Sequence, residues 1–335
     1  MFFGSIPVAE AEGAILAHAV RQGELVMKKG RVLDAADCTA LAQAGVRTII
    51  GARLEGGDVG EDEAARRAAA ALAGDHLRCD VPSTGRVNLF ADCAGILVAD
   101  TMRVDRFNSV DEALTFATLP HLKPVEAGEM VGTMKIIPFA VPDILLARAI
   151  DAAGGTALKV VPFKPKSVAV ISTLLPGLKP TIVSKTVSVL EKRLAKAGAR
   201  VVAHGQCAHD EAALRQALCD AADHKPDLII VFGASAITDR RDVIPSALEA
   251  EGGTIVQFGM PVDPGNLLLI GALKAIPFIG APGCARSPAE NGFDWVLDRM
   301  LADIPVTAQD IRGMGVGGLL MEIVQRGHPR IGGET

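Results

Sequence analysis

Two aspartates that precede helix-like segments have the chemistry to hold a metal ion or a phosphorylated ligand. Asp242 follows Arg240 and Arg241 in VFGASAITDRRDVIP, directly after the apolar run DLIIVFG, and Asp210 follows an earlier run in CAHDEAALRQAL. An aspartate before a helix commonly caps it, stabilising the helix by about 1 kcal/mol. In the alternative interpretation the arginines bind phosphate and the two aspartates bind Mg²⁺, as catalytic residues.

Glycine-containing turns supply further candidates. A Pro-Gly pair by itself needs only turn chemistry, but the free backbone N–H groups of such a turn before a helix can also bind an anion. Both interpretations stay open at this point. The candidate ligand-binding residues are Gly233, Ser235, Thr238, Arg240, Arg241, Pro264, Gly265, Asn266, Pro282, Gly283 and Ser287.

Strand-like and helix-like segments alternate through the second half of the chain and would position these residues. SVAVIST, RVVAHG and DLIIVFG are short apolar runs, and apolar residues at helical spacing run from about 182 to 197. This alternation predicts an α/β fold with a mostly parallel sheet in three layers and DLIIVFG as a central strand. In such sheets ligands bind beyond the carboxyl ends of the strands. The candidate residues lie in the segments that follow these strand ends.

The first half of the chain is less regular. Helical patterns occur near DAADCTALAQAG and DEAARRAAAALAG, and short extended runs such as VNLF, GILVAD and GTMKIIPFA are broken by glycine and proline. These patterns predict a small N-terminal α/β region over 1–75 and a β-rich small domain over 76–160. The main α/β domain is expected over 166–305, with a C-terminal tail over 306–335.

Composition excludes several classes of protein. The 335 residues are 49% hydrophobic and 22% charged, as in globular proteins. The net charge of −5 and the absence of tyrosine argue against binding to nucleic acid. No secretory signal and no apolar run of membrane-spanning length is visible. The cysteines form no CxxC pair, so the expected location is the cytoplasm.

The order of the candidate segments resembles the molybdopterin-binding domain of molybdopterin adenylyltransferases and molybdopterin molybdenumtransferases. ASAITDRRDVIP is similar to the adenylyltransferase loop GGTGxxRRDVTP, while DPGN and PGCARS resemble the PGKP and PGNPxS turns of the molybdenumtransferases. The resemblance covers about 168–302. It implies a molybdopterin-binding fold, molybdopterin or its nucleotide derivative as ligand, Mg²⁺ at Asp210 and Asp242, and a homo-oligomer.

A narrower resemblance concerns the first half. GRVNLFADCAGILVAD and MVGTMKIIPFAVP look like bacterial molybdopterin-binding proteins that can be fused to a MobA-like nucleotidyltransferase. The glycine-rich loop of that transferase is not in this chain, so such a transferase is expected as a partner, unless the chain is part of a longer fusion. Three departures from the family motifs weaken the case for catalysis. Residues 234–237 stand where the adenylyltransferase loop has its glycines, and residues 174–177 lack the carboxylates of the segment that follows the first strand. Asn266 stands where the molybdenumtransferase turn has a lysine.

The sequence therefore predicts a molybdopterin-binding protein of molybdenum cofactor biosynthesis, acting as a transferase in nucleotidyl transfer or molybdenum insertion. The missing glycines and carboxylates favour an alternative, a non-catalytic carrier or scaffold for the cofactor. A nucleotide hydrolase or deamidase built on the same domain is a third hypothesis. No Ser-His or Cys-His arrangement is visible in the sequence to support it.

Overall fold

A computed structural model describes residues 1–177 and 180–320 of the chain. The molecule divides into two compact units, Met1–Pro162 and Phe163–Thr335. The finer domain boundaries expected near positions 75 and 305 stay predictions. The part of the expected C-terminal tail from residue 321 onward lies outside the described residues. Among the described residues, no helix combines the length and apolarity needed to cross a membrane.

The first unit is built from short antiparallel sheets and four helices within the described residues. Its helices are α1 (Ala35–Gln43), α2 (Glu61–Leu72), α3 (Thr101–Asn108) and α4 (Asp143–Ala153). Its strands are β1 (Phe2–Pro7), β2 (Ile15–Leu16), β3 (Val20–Gln22), β4 (Leu25–Met27), β5 (Thr48–Arg53), β6 (Asp58–Gly60), β7 (Leu77–Cys79), β8 (Arg86–Ala91), β9 (Gly95–Ala99), β10 (Leu114–Thr118), β11 (Pro124–Val125), β12 (Met130–Ile136), β13 (Ala140–Pro142) and β14 (Leu158–Pro162).

This unit contains two hydrophobic clusters. One is formed by residues before position 50, and the other by residues from Ala64 to Val160. VNLF, GILVAD and GTMKIIPFA form β8, β9 and β12, as the extended runs indicate. The sequence did not predict α3 and α4. Asp100 caps α3 through the Arg103 N–H, and α4 follows Pro142, in a stretch whose prolines and glycines resemble strand breaks.

The second unit contains a single six-stranded sheet within the described residues. Its helices are α5 (Pro180–Ala195), α6 (Glu211–Asp223), α7 (Val243–Ala250), α8 (Gly292–Leu301) and α9 (Ala308–Arg312). Its strands are β15 (Ser167–Leu174), β16 (Arg200–Ala208), β17 (Leu228–Phe232), β18 (Thr254–Phe258), β19 (Leu269–Leu273) and β20 (Ile276–Ala281).

The sheet has the strand order β16-β15-β17-β20-β19-β18. The first four strands are parallel, and β19 pairs antiparallel with both β20 and β18. All residues of β17 are buried, and the strand lies between β15 and β20. The mostly parallel α/β fold and the central position of DLIIVFG are therefore confirmed.

Helices cover both faces of the sheet, and successive side chains of β17 point alternately to one face and to the other. Ile230 packs in a cluster with residues of α5 and α8, whereas Ile229 packs in a cluster with residues of α6 and α7. Each fully buried aliphatic side chain contributes about 1.5–3 kcal/mol relative to its exposed state. Burial on two faces explains why the strands read as continuous apolar runs.

The strand directions bring several loops to one edge. β15, β16, β17 and β20 run parallel, so the segments that follow them leave the sheet on the same side. Because β19 is antiparallel and Leu269 pairs with Gly280, the 259–268 loop before β19 opens at this edge too. We call this side of the second unit the carboxyl edge.

Candidate functional site

Asp242 closes the loop that follows β17. Its Oδ1 accepts the Val243 N–H at 2.8 Å and caps α7, and its Oδ2 accepts the Thr238 N–H at 3.1 Å. Each oxygen of an ionised carboxylate can accept a second bond, so capacity for a ligand remains. The capping role is thus seen directly, and the ligand or metal role stays a prediction.

Asp210 caps α6 at the carboxyl edge. Its Oδ1 accepts the Ala213 N–H at 2.9 Å from an extended backbone. Among the described residues, no group of three or more His, Cys, Asp and Glu side chains is arranged to hold a metal ion. Mg²⁺ binding by Asp210 and Asp242 stays a prediction.

Arg240 and Arg241 both have carboxylate neighbours on nearby residues. Arg241 Nε lies 2.7 Å from Asp239 Oδ1, and its side chain is 90% exposed. This guanidinium lowers the pKa of the Asp239 carboxyl to about 2. Arg240 lies 3.8 Å from Glu249 on α7. Their assignment as phosphate-binding residues stays a prediction.

Arg286, to which the sequence gave no role, has a different environment. Its Nη2 donates to the Gly233 carbonyl oxygen at 2.6 Å, and its Nη1 makes a long contact of 3.4 Å with Thr186 Oγ1. The guanidinium lies 5.6 Å from the centre of the Phe232 ring. Burial lowers the pKa of Arg286, and no carboxylate of the described residues pairs with it.

Thr173 joins three neighbouring segments of the carboxyl edge. Its Oγ1, on a side chain that is 1% exposed, lies 2.8 Å from His209 Nδ1 and accepts the Ala234 N–H at 2.8 Å. These contacts link the end of β15 to the residue before Asp210 and to the loop after β17. The sequence gave no sign of them.

The start of the β17–α7 loop requires a glycine. A Cβ at Gly233 would lie 2.6 Å from the Ser235 carbonyl oxygen and 2.9 Å from Ile244 Cδ1. Ser235 and Thr238 are exposed on this loop, and Ser235 Oγ makes only a 3.4 Å contact with its neighbour Ala236. Gly233 thus shapes the loop, while Ser235 remains open to a ligand.

The loop after β20 is a short 3₁₀ helix, Gly283–Arg286, that follows Pro282. A Cβ at Gly283 would meet no heavy atom within 4 Å, so the chain is open here. Arg193 of α5 holds the loop by donating to the carbonyl oxygens of Ala285 at 2.9 Å and Ser287 at 2.7 Å.

The turn at Pro264, Gly265 and Asn266 packs against the start of α8. The Pro264 carbonyl accepts the Gly292 N–H at 2.8 Å, and a Cβ at Gly265 would lie 2.8 Å from the same nitrogen. The Asn266 carbonyl accepts the Met260 N–H at 2.9 Å. Gly265 has a φ of +142°, which suits glycine, so this turn is shaped by packing.

Ser-His and Thr-His pairs do occur in the structure, although none is visible in the sequence. Ser172 Oγ lies 3.3 Å from His204 Nε2, and Thr173 Oγ1 lies 2.8 Å from His209 Nδ1. Burial lowers the pKa of His204. Both hydroxyl side chains are buried, so neither is placed to attack a substrate, and the pairs give no support to a hydrolase.

Cavities are also present away from the carboxyl edge. One of about 300 Å³ lies where β15 and β17 begin, lined by Lys166, Asp227 and Pro305 among others. Another of about 800 Å³ lies in the first unit, lined by Lys29, Lys135 and further residues. Neither contains a candidate residue from the sequence.

Two family models match parts of the chain, one in each half. A family described as "Probable molybdopterin binding domain" matches residues 168–302. A domain of unknown function matches residues 5–53. No curated protein matches the chain.

Solved structures similar to the chain include proteins of molybdenum cofactor biosynthesis. The molybdopterin biosynthesis MoeA protein from Pyrococcus horikosii is 15% identical, with 94% of this chain and 76% of that chain covered and a TM-score of 0.29. A Pyrococcus furiosus molybdenum cofactor biosynthesis protein is 13% identical (93% and 65% covered, TM-score 0.26), so this chain spans about two thirds of its length.

The molybdopterin biosynthesis enzyme MoaB from Thermus thermophilus is 16% identical, with 42% of this chain and 98% of that chain covered and a TM-score of 0.29. The assignment of this protein depends on the family match, which spans β15 to α8 and so contains every loop of the carboxyl edge. Residues 168–302 of the second unit therefore match the family described as "Probable molybdopterin binding domain".

Proposed function

We propose that the protein binds molybdopterin, or its nucleotide derivative, at the carboxyl edge of the second unit. The observation that supports this proposal best is the position of the RRDV loop. It leaves the central strand β17 inside a domain of this family, and hydrogen bonds from Thr173 and Arg286 tie it to the neighbouring loops. Ligands of doubly wound sheets bind at such an edge.

The proposed ligand-binding residues fall into three groups. Ser235, Thr238 and Gly283 offer exposed backbone and hydroxyl groups. Gly233, Pro264, Gly265, Asn266, Pro282 and Ser287 act mainly by shaping the loops, because their own contacts are made within the protein. Arg240 and Arg241 are exposed and are free to exchange their carboxylate neighbours for a phosphate, since surface ion pairs are weak.

Asp242 and Asp210 bind Mg²⁺ in this proposal. Mg²⁺ is commonly held by one or two carboxylates, with phosphate oxygens completing its shell, so the absence of a three-residue cluster among the described residues does not conflict with it. When bound, the ion clamps phosphate oxygens and offsets their charge. The two carboxylates keep their caps and supply their remaining lone pairs.

A non-catalytic carrier is the second candidate, and one contact favours it. The loop that has glycines in the adenylyltransferases here has Ala234, whose N–H is already donated to Thr173 Oγ1 at 2.8 Å. That N–H is therefore not free to bind a phosphate in this arrangement. Fewer backbone donors reduce the stabilisation of a transferring phosphoryl group more than they reduce binding.

The proposed function is tested by purifying the chain from cells that make molybdopterin and oxidising the bound material to a fluorescent pterin. We expect pterin to copurify with the protein. Protein that lacks pterin and also fails to bind added molybdopterin would contradict the proposal. A nucleotidyl transfer assay with Mg²⁺ then separates a transferase from a carrier.

The setting that we propose is the cytoplasm, with the chain assembled as a homo-oligomer and a nucleotidyltransferase as partner. These parts derive from the sequence resemblance. Size-exclusion chromatography with light scattering tests the assembly, and a pull-down with a purified MobA-like transferase tests the partner.

A further inference from the structure

We propose that Arg286 is the main residue that binds the phosphate group of the ligand at the carboxyl edge, ahead of Arg240 and Arg241. This inference deepens the proposed function and rests on it. Three observations carry it: the pairing of the other arginines, the burial of Arg286 without a counter-charge, and the way its neighbours hold the guanidinium.

The other arginines near this edge each have a carboxylate partner. Arg193 Nε lies 2.5 Å from Asp294, on side chains that are 9% and 15% exposed. Arg241 lies 2.7 Å from Asp239, and Arg240 lies 3.8 Å from Glu249. A ligand must displace these contacts before it can use the charge of those residues. Arg286 has no such contact among the described residues.

The partial burial of Arg286 leaves a charge that a ligand can compensate. Moving a guanidinium out of water is costly unless it is paired, and here the loss of water is what lowers its pKa. The carbonyl oxygen of Gly233 and the Thr186 hydroxyl offset the cost with partial charges only. An anion on the open side of the guanidinium would offset it fully.

The remaining donors of Arg286 are accessible. The guanidinium has five N–H groups, of which the two contacts to Gly233 and Thr186 use two. Within the described chain, the only buried side-chain polar atom without a hydrogen bond belongs to Asp298. Nε of Arg286 makes no hydrogen bond with the described residues and is not such an atom, so it is not completely buried.

The neighbours of Arg286 hold its planar group in one orientation. The Phe232 ring lies 5.6 Å from the guanidinium carbon, and Gly233 accepts the 2.6 Å bond from Nη2. A fixed planar fork with free N–H groups suits two oxygens of a phosphate, which a flexible lysine binds only as a point charge. Gly283, three residues earlier, has no side chain, and a Cβ there would meet no heavy atom within 4 Å.

The test compares two ligands that differ only in the phosphate: the oxidised fluorescent pterin phosphate and the same pterin after phosphatase treatment. The wild-type protein should bind the phosphorylated form more tightly by roughly 10- to 100-fold. In Arg286→Gln this ratio should fall by roughly 10-fold, with the affinity for the dephosphorylated pterin unchanged. Arg286→Lys should give an intermediate ratio, because the charge remains and the fork is lost.

Arg215→Gln is the matched control, since it removes a partly exposed arginine of the second unit that pairs with Glu251 and has no part in the proposed site. It should keep the wild-type ratio. A wild-type ratio in Arg286→Gln would overturn the inference while leaving molybdopterin binding intact. If Arg286→Gln does not fold, the ratio in Arg286→Lys decides: a value equal to the wild-type ratio rejects the inference.

Two further outcomes separate this inference from its alternatives. A wild-type protein that binds neither pterin rejects the proposed function, and the inference with it. Inorganic phosphate that binds wild type as tightly as the pterin phosphate does, and is lost in Arg286→Gln, would show a site for free phosphate and reject the pterin phosphate as its ligand.

Discussion

At the scale of single residues, the two aspartates differ in a way that the sequence did not show. Asp242 uses both carboxylate oxygens for its own loop, through Val243 and Thr238, whereas Asp210 uses one oxygen for Ala213. An asparagine has one acceptor oxygen in place of two. The same substitution should therefore have different structural effects at the two positions.

Asp242→Asn should lower the free energy of unfolding by about 1 kcal/mol, because one of two hydrogen bonds is lost. Asp210→Asn should change it by only a few tenths of a kcal/mol, since asparagine caps nearly as well as aspartate. If the proposed metal role holds, both variants lose Mg²⁺-dependent pterin binding. Urea unfolding measures the effect on stability, and pterin titrations with and without Mg²⁺ measure the effect on binding. Unchanged Mg²⁺ dependence in both variants would show that the two aspartates only cap their helices.

Asp298 of α8 predicts a pH dependence of stability. Burial raises the pKa of this carboxyl from 3.8 to about 6. Lys196 Nζ lies 2.6 Å from Asp298 Oδ1 and forms an ion pair with it. The angle between the two groups does not suit a hydrogen bond. Between pH 4 and 6 the folded protein thus binds more protons than the unfolded chain, so this residue lowers stability as the pH rises.

Asp298→Asn removes this titration. The free energy of unfolding of the variant, relative to wild type, should rise by up to roughly 3 kcal/mol between about pH 4 and pH 7. Urea unfolding of both proteins at several pH values gives the difference between their free energies of unfolding. The titration of all other groups is common to both proteins and cancels in this difference. A difference that does not vary with pH would show that Asp298 titrates normally.

At the scale of elements, two glycines at the ends of neighbouring strands have opposite surroundings. Gly233, after β17, has no room for a Cβ, and Gly283, after β20, has open space. Gly233→Ala should therefore lower the free energy of unfolding by about 1–3 kcal/mol, the usual range for overpacking. Gly283→Ala should change it little.

Thermal or urea unfolding of the two alanine variants measures this contrast. Pterin binding gives a second readout, because Gly283→Ala places a methyl group in the open space where we propose that the ligand binds. Equal losses of stability in both variants would show that the β17–α7 loop can shift to accept a side chain.

At the scale of the whole molecule, each compact unit has hydrophobic clusters of its own. The clusters of the second unit are formed by residues from Phe163 to Leu320, and those of the first by residues up to Val160. A unit of this length buries enough apolar surface to fold alone. The carboxyl edge lies wholly in the second unit.

A fragment of residues 163–335 should therefore unfold cooperatively in urea and bind the pterin phosphate with the affinity of the full chain. Circular dichroism and fluorescence titration test these two expectations, with the full chain as control. A fragment that folds but binds more weakly would show that the first unit contributes to the site.

The sequence by itself determined the elements of the second unit and the resemblance to the family that its residues 168–302 match. Alternating apolar runs and caps such as Asp242 are local signals, so β15 to α8 could be predicted from spacing alone. In the first unit short strands broken by glycine and proline obscured α3 and α4. Local patterns are weak there because each element is brief.

Only the tertiary structure decided which residues meet. Thr173, His209 and Ala234 are brought together across three parallel strands, and Arg286 reaches Gly233 from 53 positions away along the chain. Hydrogen-bond partners on neighbouring parallel strands are separated by a whole helix in sequence, so no spacing rule connects them. Arg241 pairs locally with Asp239, two residues away, whereas the tertiary packing partly buries Arg286 and leaves it without a carboxylate among the described residues.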